Sequence, residues 1–254
     1  MIIKNSEELE ILREGGKRLA FVVSELVKKT KVGISTIELD KLAHVLMKKQ
    51  GGKPAFLNYK TEKESKPYPA SVCISIDEDI VHCVPTKEKI IKDGDIVSID
   101  LGFEYKKFIT DMAYTVGVGK VDKTGKKLIK TTKTALLSGI KEAKAGNHIG
   151  DIGFVIEKIA QKNNFSVFQE LVGHGVGQKL HEDPLIPNFG KKGMGEELKE
   201  RMVLAIEPMI GEGGGDIISG QDGFTYRTKD GKRSAHFEHT IVITKNGPEI
   251  LTKI

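Results

Sequence analysis

Asp95-Ile96-Val97-Ser98-Ile99-Asp100 and, after a short interval, Phe108-Ile109-Thr110-Asp111-Met112-Ala113 decide how the chain is read. Both runs are short and carry β-branched residues, Ile96, Val97 and Ile99 in one and Ile109 and Thr110 in the other, which predicts two strands, and Glu104-Tyr105-Lys106-Lys107 between them predicts a hairpin. Each strand carries one aspartate in an otherwise apolar setting. With the turn centred between Tyr105 and Lys106, Asp100 and Asp111 would stand opposite each other, their Cβ atoms roughly 5 Å apart. Like charges at that spacing repel, and a cation between them converts the penalty into binding. Taken alone, the pair also allows a simpler reading, in which one aspartate caps a strand end and the other is solvated through a bulge.

Two more acids interrupt apolar runs: Glu207 in Leu204-Ala205-Ile206-Glu207-Pro208, and Glu238 in Phe237-Glu238-His239-Thr240-Ile241. An ionised group in such a run is costly unless it is paired or metal-bound. Gly173-His174-Gly175-Val176-Gly177 is too glycine-rich for a helix and predicts a loop that brings His174 close to a ligand, with His181 following. Four carboxylates would be neutralised by two divalent cations, with His174 as a neutral nitrogen ligand. That donor set suits Mn, Fe, Co or Zn and does not choose among them.

The surrounding pattern alternates helix pairs with strands. Asn5 with Glu8 opens an amphipathic helix to about Lys29; Ser35 with Glu38 makes a capping box for a second, which ends at Gly51-Gly52. Ser71–Ile76 reads as a strand, Asp77-Glu78-Asp79 as a turn and Val81–Val84 as a short partner. Helices follow over about Lys127–Ala143 and Ile152–Lys162, the latter opened by Asp151. Met202–Glu207 and His236–Thr244 are expected strands, with a tight turn at Asn246-Gly247. Lys31-Val32-Gly33-Ile34-Ser35 between the first two helices resembles Lys144-Ala145-Gly146-Asn147-His148 between the second two. A diverged duplication packed about a pseudo-twofold axis would explain this; chance similarity is the alternative.

Composition sets the bounds. In 254 residues, 39% hydrophobic and 30% charged, no low-complexity segment or linker marks a second domain, so one domain over residues 1–254 is expected. No apolar run approaches a bilayer span and the N-terminus lacks a secretory pattern, so a cytoplasmic protein is expected. Cys73 and Cys83 read as thiols in a reducing compartment. A net charge of +5 is mild, compatible with weak attraction to an RNA-rich body and with neither DNA nor a membrane as partner.

Taken in order, the stretches 71–85, 93–111, 173–184, 202–209 and 234–240 resemble the type I methionine aminopeptidases of the short bacterial form. The resemblance implies a pita-bread α/β fold, an antiparallel curved sheet flanked by two pseudo-twofold-related helix pairs. It implies Asp100, Asp111, His174, Glu207 and Glu238 as ligands of two divalent metal ions, Asp111 and Glu238 bridging both. His82 and His181 match the two active-site histidines that are not ligands, and Glu207 the proton carrier. Tyr59, Tyr68, Cys73 and Phe224 would line the methionine pocket, with Phe56 and Leu180 nearby. The implied activity is removal of N-terminal methionine from nascent polypeptides with a small second residue, by a monomer that associates transiently with the ribosome. The alternatives are an Xaa-Pro peptidase of the same fold and a non-catalytic binding module. The chain departs from the family in an insertion over Thr61–Pro67 and in carrying Phe224 where some relatives have Trp.

Overall fold

The computed structural model describes residues 1–61 and 66–254. Helix α1 (Ser6–Lys29) and helix α2 (Thr36–Lys49) lead into strands β1 (Lys53–Pro54), β2 (Cys73–Ile76), β3 (Asp79–Val81), β4 (Ile96–Tyr105) and β5 (Phe108–Gly117). Helix α3 (Lys123–Glu142) and helix α4 (Ile149–Lys162) then lead into β6 (Ser166–Val167), β7 (Val172–Gly175), β8 (Glu182–Pro187), β9 (Val203–Ile206) and β10 (Met209–Gly211). Short strands β11 (Ile217–Ser219), β12 (Tyr226–Thr228) and β13 (Ser234–His236) precede β14 (His239–Thr244) and β15 (Gly247–Ile250).

The helix starts follow their caps. The Asn5 side chain accepts from the Glu8 N–H at 2.9 Å, and the Glu38 carboxylate accepts from the Ser35 N–H at 2.9 Å. α3 begins a turn earlier than its apolar periodicity suggests, because Asp122 caps it through the Gly125 N–H. α4 begins at Ile149 rather than Ile152; Asp151 sits in its first turn and accepts from the His148 N–H. α1 buries Leu12, Leu19, Val22, Val23 and Leu26 against β4 and β5, while α3 and α4 bury Leu128, Leu136, Ile152 and Ile156 beneath the second set of strands.

The duplication is visible in the backbone. Gly33 N–H donates to Ile91 O, Ile91 N–H to Ile34 O, and Thr36 N–H to Lys89 O. In the second half Gly146 N–H donates to Leu198 O, Leu198 N–H to Asn147 O, and Ile149 N–H to Glu196 O. Gly33 and Gly146 hold φ of 89° and 88°, where a side chain is strained, and both face open space. As many residues separate Ile91 from Asp100 as separate Leu198 from Glu207, so these two acids occupy equivalent places. This is a pita-bread fold with internal twofold symmetry.

Three local expectations are corrected. The hairpin turns between Lys106 and Lys107, not between Tyr105 and Lys106, because these two lysines accept left-handed φ of 48° and 71° in a two-residue turn that matches strand twist. Asp111 therefore faces Gly102, and Asp100 faces Ala113. The shift is even, so both aspartates keep the same face and become diagonal neighbours. His174 lies in strand β7 rather than a loop. Its flanking glycines are there for close approach, since a Cβ on Gly173 would meet Ala205 O at 2.5 Å and one on Gly175 would meet Asp183 O at 2.2 Å. The strand after Asp77 is Asp79–Val81, paired with β12, instead of Val81–Val84.

Candidate active site

Glu207 and Glu238 occupy matched interruptions. The ladder β9–β14 ends at Ile206 opposite His239, and β10–β13 begins at Met209 opposite His236. The register is unchanged across the gap, so Glu207-Pro208 lies across from Phe237-Glu238. His236–Thr244 is thus two strands, not one, with the acid at the break. Freed from β9, the Glu238 N–H donates to Ala113 O of β5 at 2.9 Å. Thr240 adds a double tie, its Oγ1 accepting from the Asp111 N–H and donating to Asp111 O, both at 2.8 Å. Hydrogen bonds to the backbone of β5 thereby tie the strand of Asp111 to that of Glu238.

All four acids are buried, and the consequences are large. Burial raises Asp111 to about 7, against the opposing pull of the Met112 N–H. Burial and then the Asp111 charge push Asp100 well up. Glu207 is raised by burial and by Asp100 and Asp111, and Glu238 by burial, Asp111, Glu207 and Asp100. Burial is the main reason each acid resists ionisation, and for Asp100, Glu207 and Glu238 the neighbouring carboxylates add to it. Burial, followed by His181, lowers His174 to about 3, so this imidazole is neutral.

The donors and acceptors show what is needed. His174 Nδ1 lies 2.9 Å from Gly175 O and so carries the proton, leaving a lone pair on Nε2. That lone pair faces Glu207 Oε1 at 3.3 Å. Two acceptors facing each other in a buried site are stable only with a proton or a cation between them. Asp111, His174 and Glu238 offer ligand atoms all within 4.8 Å of one another, and Glu238 Oε1 has no hydrogen-bond partner. The chemistry of this donor set fits divalent cations.

A cavity of about 710 Å³ opens over these groups, lined by every residue expected at the site: Asp100, Asp111, His174, Glu207 and Glu238, His82 and His181, and Tyr59, Tyr68, Cys73 and Phe224. Phe56 and Leu180 also line it. His181 stands between the His174 ring, 4.5 Å away centroid to centroid, and Tyr59, whose hydroxyl lies 2.8 Å from His181 Nδ1. His82 sits at left-handed φ of 58° with its ring edge-on to Tyr226. The apolar end is closed by Phe224 edge-on to Tyr68 at 5.4 Å, Tyr68 being pinned by its hydroxyl to Val72 O and Cys83 O. Cys73 lies opposite Asp100 in the β2–β4 ladder, at the junction of the apolar and acidic ends. The insertion at Thr61–Pro67 falls partly outside the described residues. Its base is closed where Tyr68 N–H donates to Tyr59 O and Asn58 N–H donates to Tyr68 O.

Residues 10–245 match metallopeptidase family M24. The chain belongs to that family. It is 44% identical to methionine aminopeptidase 1 of Bacillus subtilis, and 42% identical to the methionine aminopeptidase of Aquifex aeolicus. The first match covers 100% of both chains and the second 98% of each. Among solved structures, the Thermotoga maritima methionine aminopeptidase superposes with a TM-score of 0.95 at 43% identity over 100% of both chains. The prolidase of Pyrococcus furiosus matches with a TM-score of 0.79 at 26% identity, and only 66% of that chain is covered. Within M24, the chain is similar over its full length to the methionine-releasing members and to part of the proline-directed ones.

Some residues around the cavity escape a reading of the sequence. His236 is buried against Glu207, and Tyr226, Met209 and Leu185 line the cavity. His236 had a signal: two residues before Glu238 in an extended run, it belongs on the same side as the acid. Tyr226 reaches His82 only through the β3–β12 pairing, which no local pattern announces.

Proposed function

We propose that this protein removes N-terminal methionine from polypeptides with a small second residue, using two divalent cations, Co, Mn, Fe or Zn, held by Asp100, Asp111, His174, Glu207 and Glu238. The observation carrying this reading is the buried set of mutually repelling carboxylates beside a neutral His174, at the floor of a cavity with an apolar end. Cations bound there would lower the pKa of water and polarise the scissile carbonyl. Asp111 and Glu238, tied together through Ala113 and Thr240, hold the centre; Asp100 serves one side, and His174 with Glu207 the other. Glu207 takes the proton of the attacking water and passes it to the leaving amine. His181, oriented by Tyr59, donates to the carbonyl oxygen as charge develops, and His82 contacts the peptide beyond the scissile bond. Tyr59, Tyr68, Cys73 and Phe224 hold the methionine side chain, Cys73 offering a soft contact to sulfur.

Full-length similarity to methionine aminopeptidases, against partial similarity to a prolidase, supports this substrate over Xaa-Pro peptides. The whole chain acts as one catalytic unit. The free thiols Cys73 and Cys83 suit the cytoplasm, no described helix is long and apolar enough to cross a membrane, and the mild positive charge suits transient contact with the ribosome. Cleavage of Met-Ala-Ser and of Xaa-Pro peptides, with Mn supplied and with chelator, tests the reading. Methionine release that disappears on chelation is the expected result; rapid Xaa-Pro turnover without methionine release would reverse the substrate.

A further inference from the structure

Glu207 is flanked by two imidazoles that present opposite chemistry. Its Oε1 meets the lone pair on His174 Nε2, whose proton is committed at Nδ1 to Gly175 O. Its Oε2 lies 3.4 Å from His236 Nε2. The His236 side chain is almost completely buried, and neither ring nitrogen has a hydrogen-bond partner among the described residues. A buried donor left unpaired costs roughly 1–3 kcal/mol, so the ring's single proton belongs on the nitrogen that can reach an acceptor. Glu207 Oε2, 3.4 Å from His236 Nε2, is such an acceptor.

The ring is delivered there by a fixed backbone. The His236 N–H donates to Thr115 Oγ1 at 2.9 Å, and the Thr115 hydroxyl donates back to His236 O. Ser98 Oγ, 2.8 Å from Thr115 Oγ1, completes the chain by donating to it. On its other edge, β13 pairs His236 with Met209 immediately past the Glu207-Pro208 interruption. Glu207 itself has its carbonyl held by the Asn188 amide at 3.0 Å. Two clamped backbones thus bring one ring to one carboxylate oxygen.

We infer that His236 is a positioning residue for Glu207: its Nε2–H holds Oε2 and so aims Oε1 at the space shared with His174. The inference rests on the reading of Glu207 as a cation ligand. Partners of ligating carboxylates typically change metal affinity or activity by about 10–100-fold. His236→Leu fills the same space without a donor, whereas His236→Gln keeps an N–H. In calorimetric titration with Mn alone, H236L is expected to bind about 10–100-fold more weakly than wild type, and H236Q close to wild type. Long-range proton–nitrogen spectra of the metal-free protein are expected to show His236 as the Nε2–H tautomer. Unchanged binding by H236L, binding by H236Q as weak as by H236L, or an Nδ1–H tautomer would each overturn the assignment. If H236L does not fold, the glutamine variant and the tautomer decide it. Wild-type protein that takes up no Mn would sink the cation site itself, whereas intact wild-type uptake with an unaffected H236L sinks only the role of His236.

Discussion

The two halves of the molecule use one scaffold differently. In the first, Asp100 and Asp111 project from an unbroken ladder of ten paired positions between β4 and β5. In the second, Glu207 and Glu238 sit where β9–β14 gives way to β10–β13, and the ladder is interrupted at both acids. Asp100 and Glu207 are equivalent in the duplication, yet one is the shorter acid on a continuous strand and the other the longer acid at a break. A continuous strand fixes the carboxylate by its backbone alone. A break frees backbone groups, and the second half uses them to reach the first, through Glu238 N–H to Ala113 O. Symmetry supplies two places for acids, and its local failure joins them into one site.

If the site is shared, damage in either half should be equivalent. Asp111→Asn and Glu238→Gln are each expected to lower kcat/KM by more than about 100-fold, beyond what loss of an outer partner produces. Both should also raise the melting temperature of the metal-free protein at neutral pH, because each replaces a buried acid that folding must keep protonated with a neutral amide. A variant that loses activity and stability together in only one half would show that the halves do not share a centre.

A smaller effect should come from cations and protons acting on the intact cluster. The acids have raised pKa values, so the folded apo protein holds protons that the unfolded chain releases above about pH 4. Buried His174, His236 and His239 work the other way below about pH 6.5, so the net fall in stability should show as pH rises through about 7, where Asp111 titrates. Mn at 100 times its Kd should restore about 2.7 kcal/mol at pH 7.5, and less at pH 5, where protons compete. Denaturation curves with and without Mn at the two pH values check this, and a cation effect larger at pH 5 would contradict it.

Most of the scaffold was legible in the sequence because caps and periodicity are local. Asn5 with Glu8, Ser35 with Glu38, and the β-branched run of Ile96, Val97 and Ile99 mark their own elements. The five proposed ligands stood out for a similar reason, as ionisable groups in apolar surroundings. What was hidden depends on pairing across the chain. The hairpin centre turned on whether Lys106 and Lys107 would accept left-handed φ, and lysine carries no such signal. The break between His236 and His239 could not be seen, because Phe237-Glu238 continues the alternation and only the partner strand, with Pro208, interrupts it. His174 looked like a loop residue since glycines weaken strands, whereas here they let neighbouring backbones approach.

The duplication itself offers the finest test. Gly33 and Gly146 connect the helices of their respective pairs at nearly the same positive φ, donate to equivalent carbonyls, and face empty space. Alanine at either place meets no neighbour, so any loss comes from backbone strain alone. Left-handed geometry costs an L-residue roughly 1–2 kcal/mol. Gly33→Ala and Gly146→Ala should each destabilise by about that amount, and by similar amounts, in chemical denaturation. Both lie outside the cavity, so kcat/KM should hold. Their effects should add in the double variant, since the two linkers share no partners. Markedly unequal penalties would mean that the resemblance of the two linkers is geometric only, and that one half carries slack the other lacks.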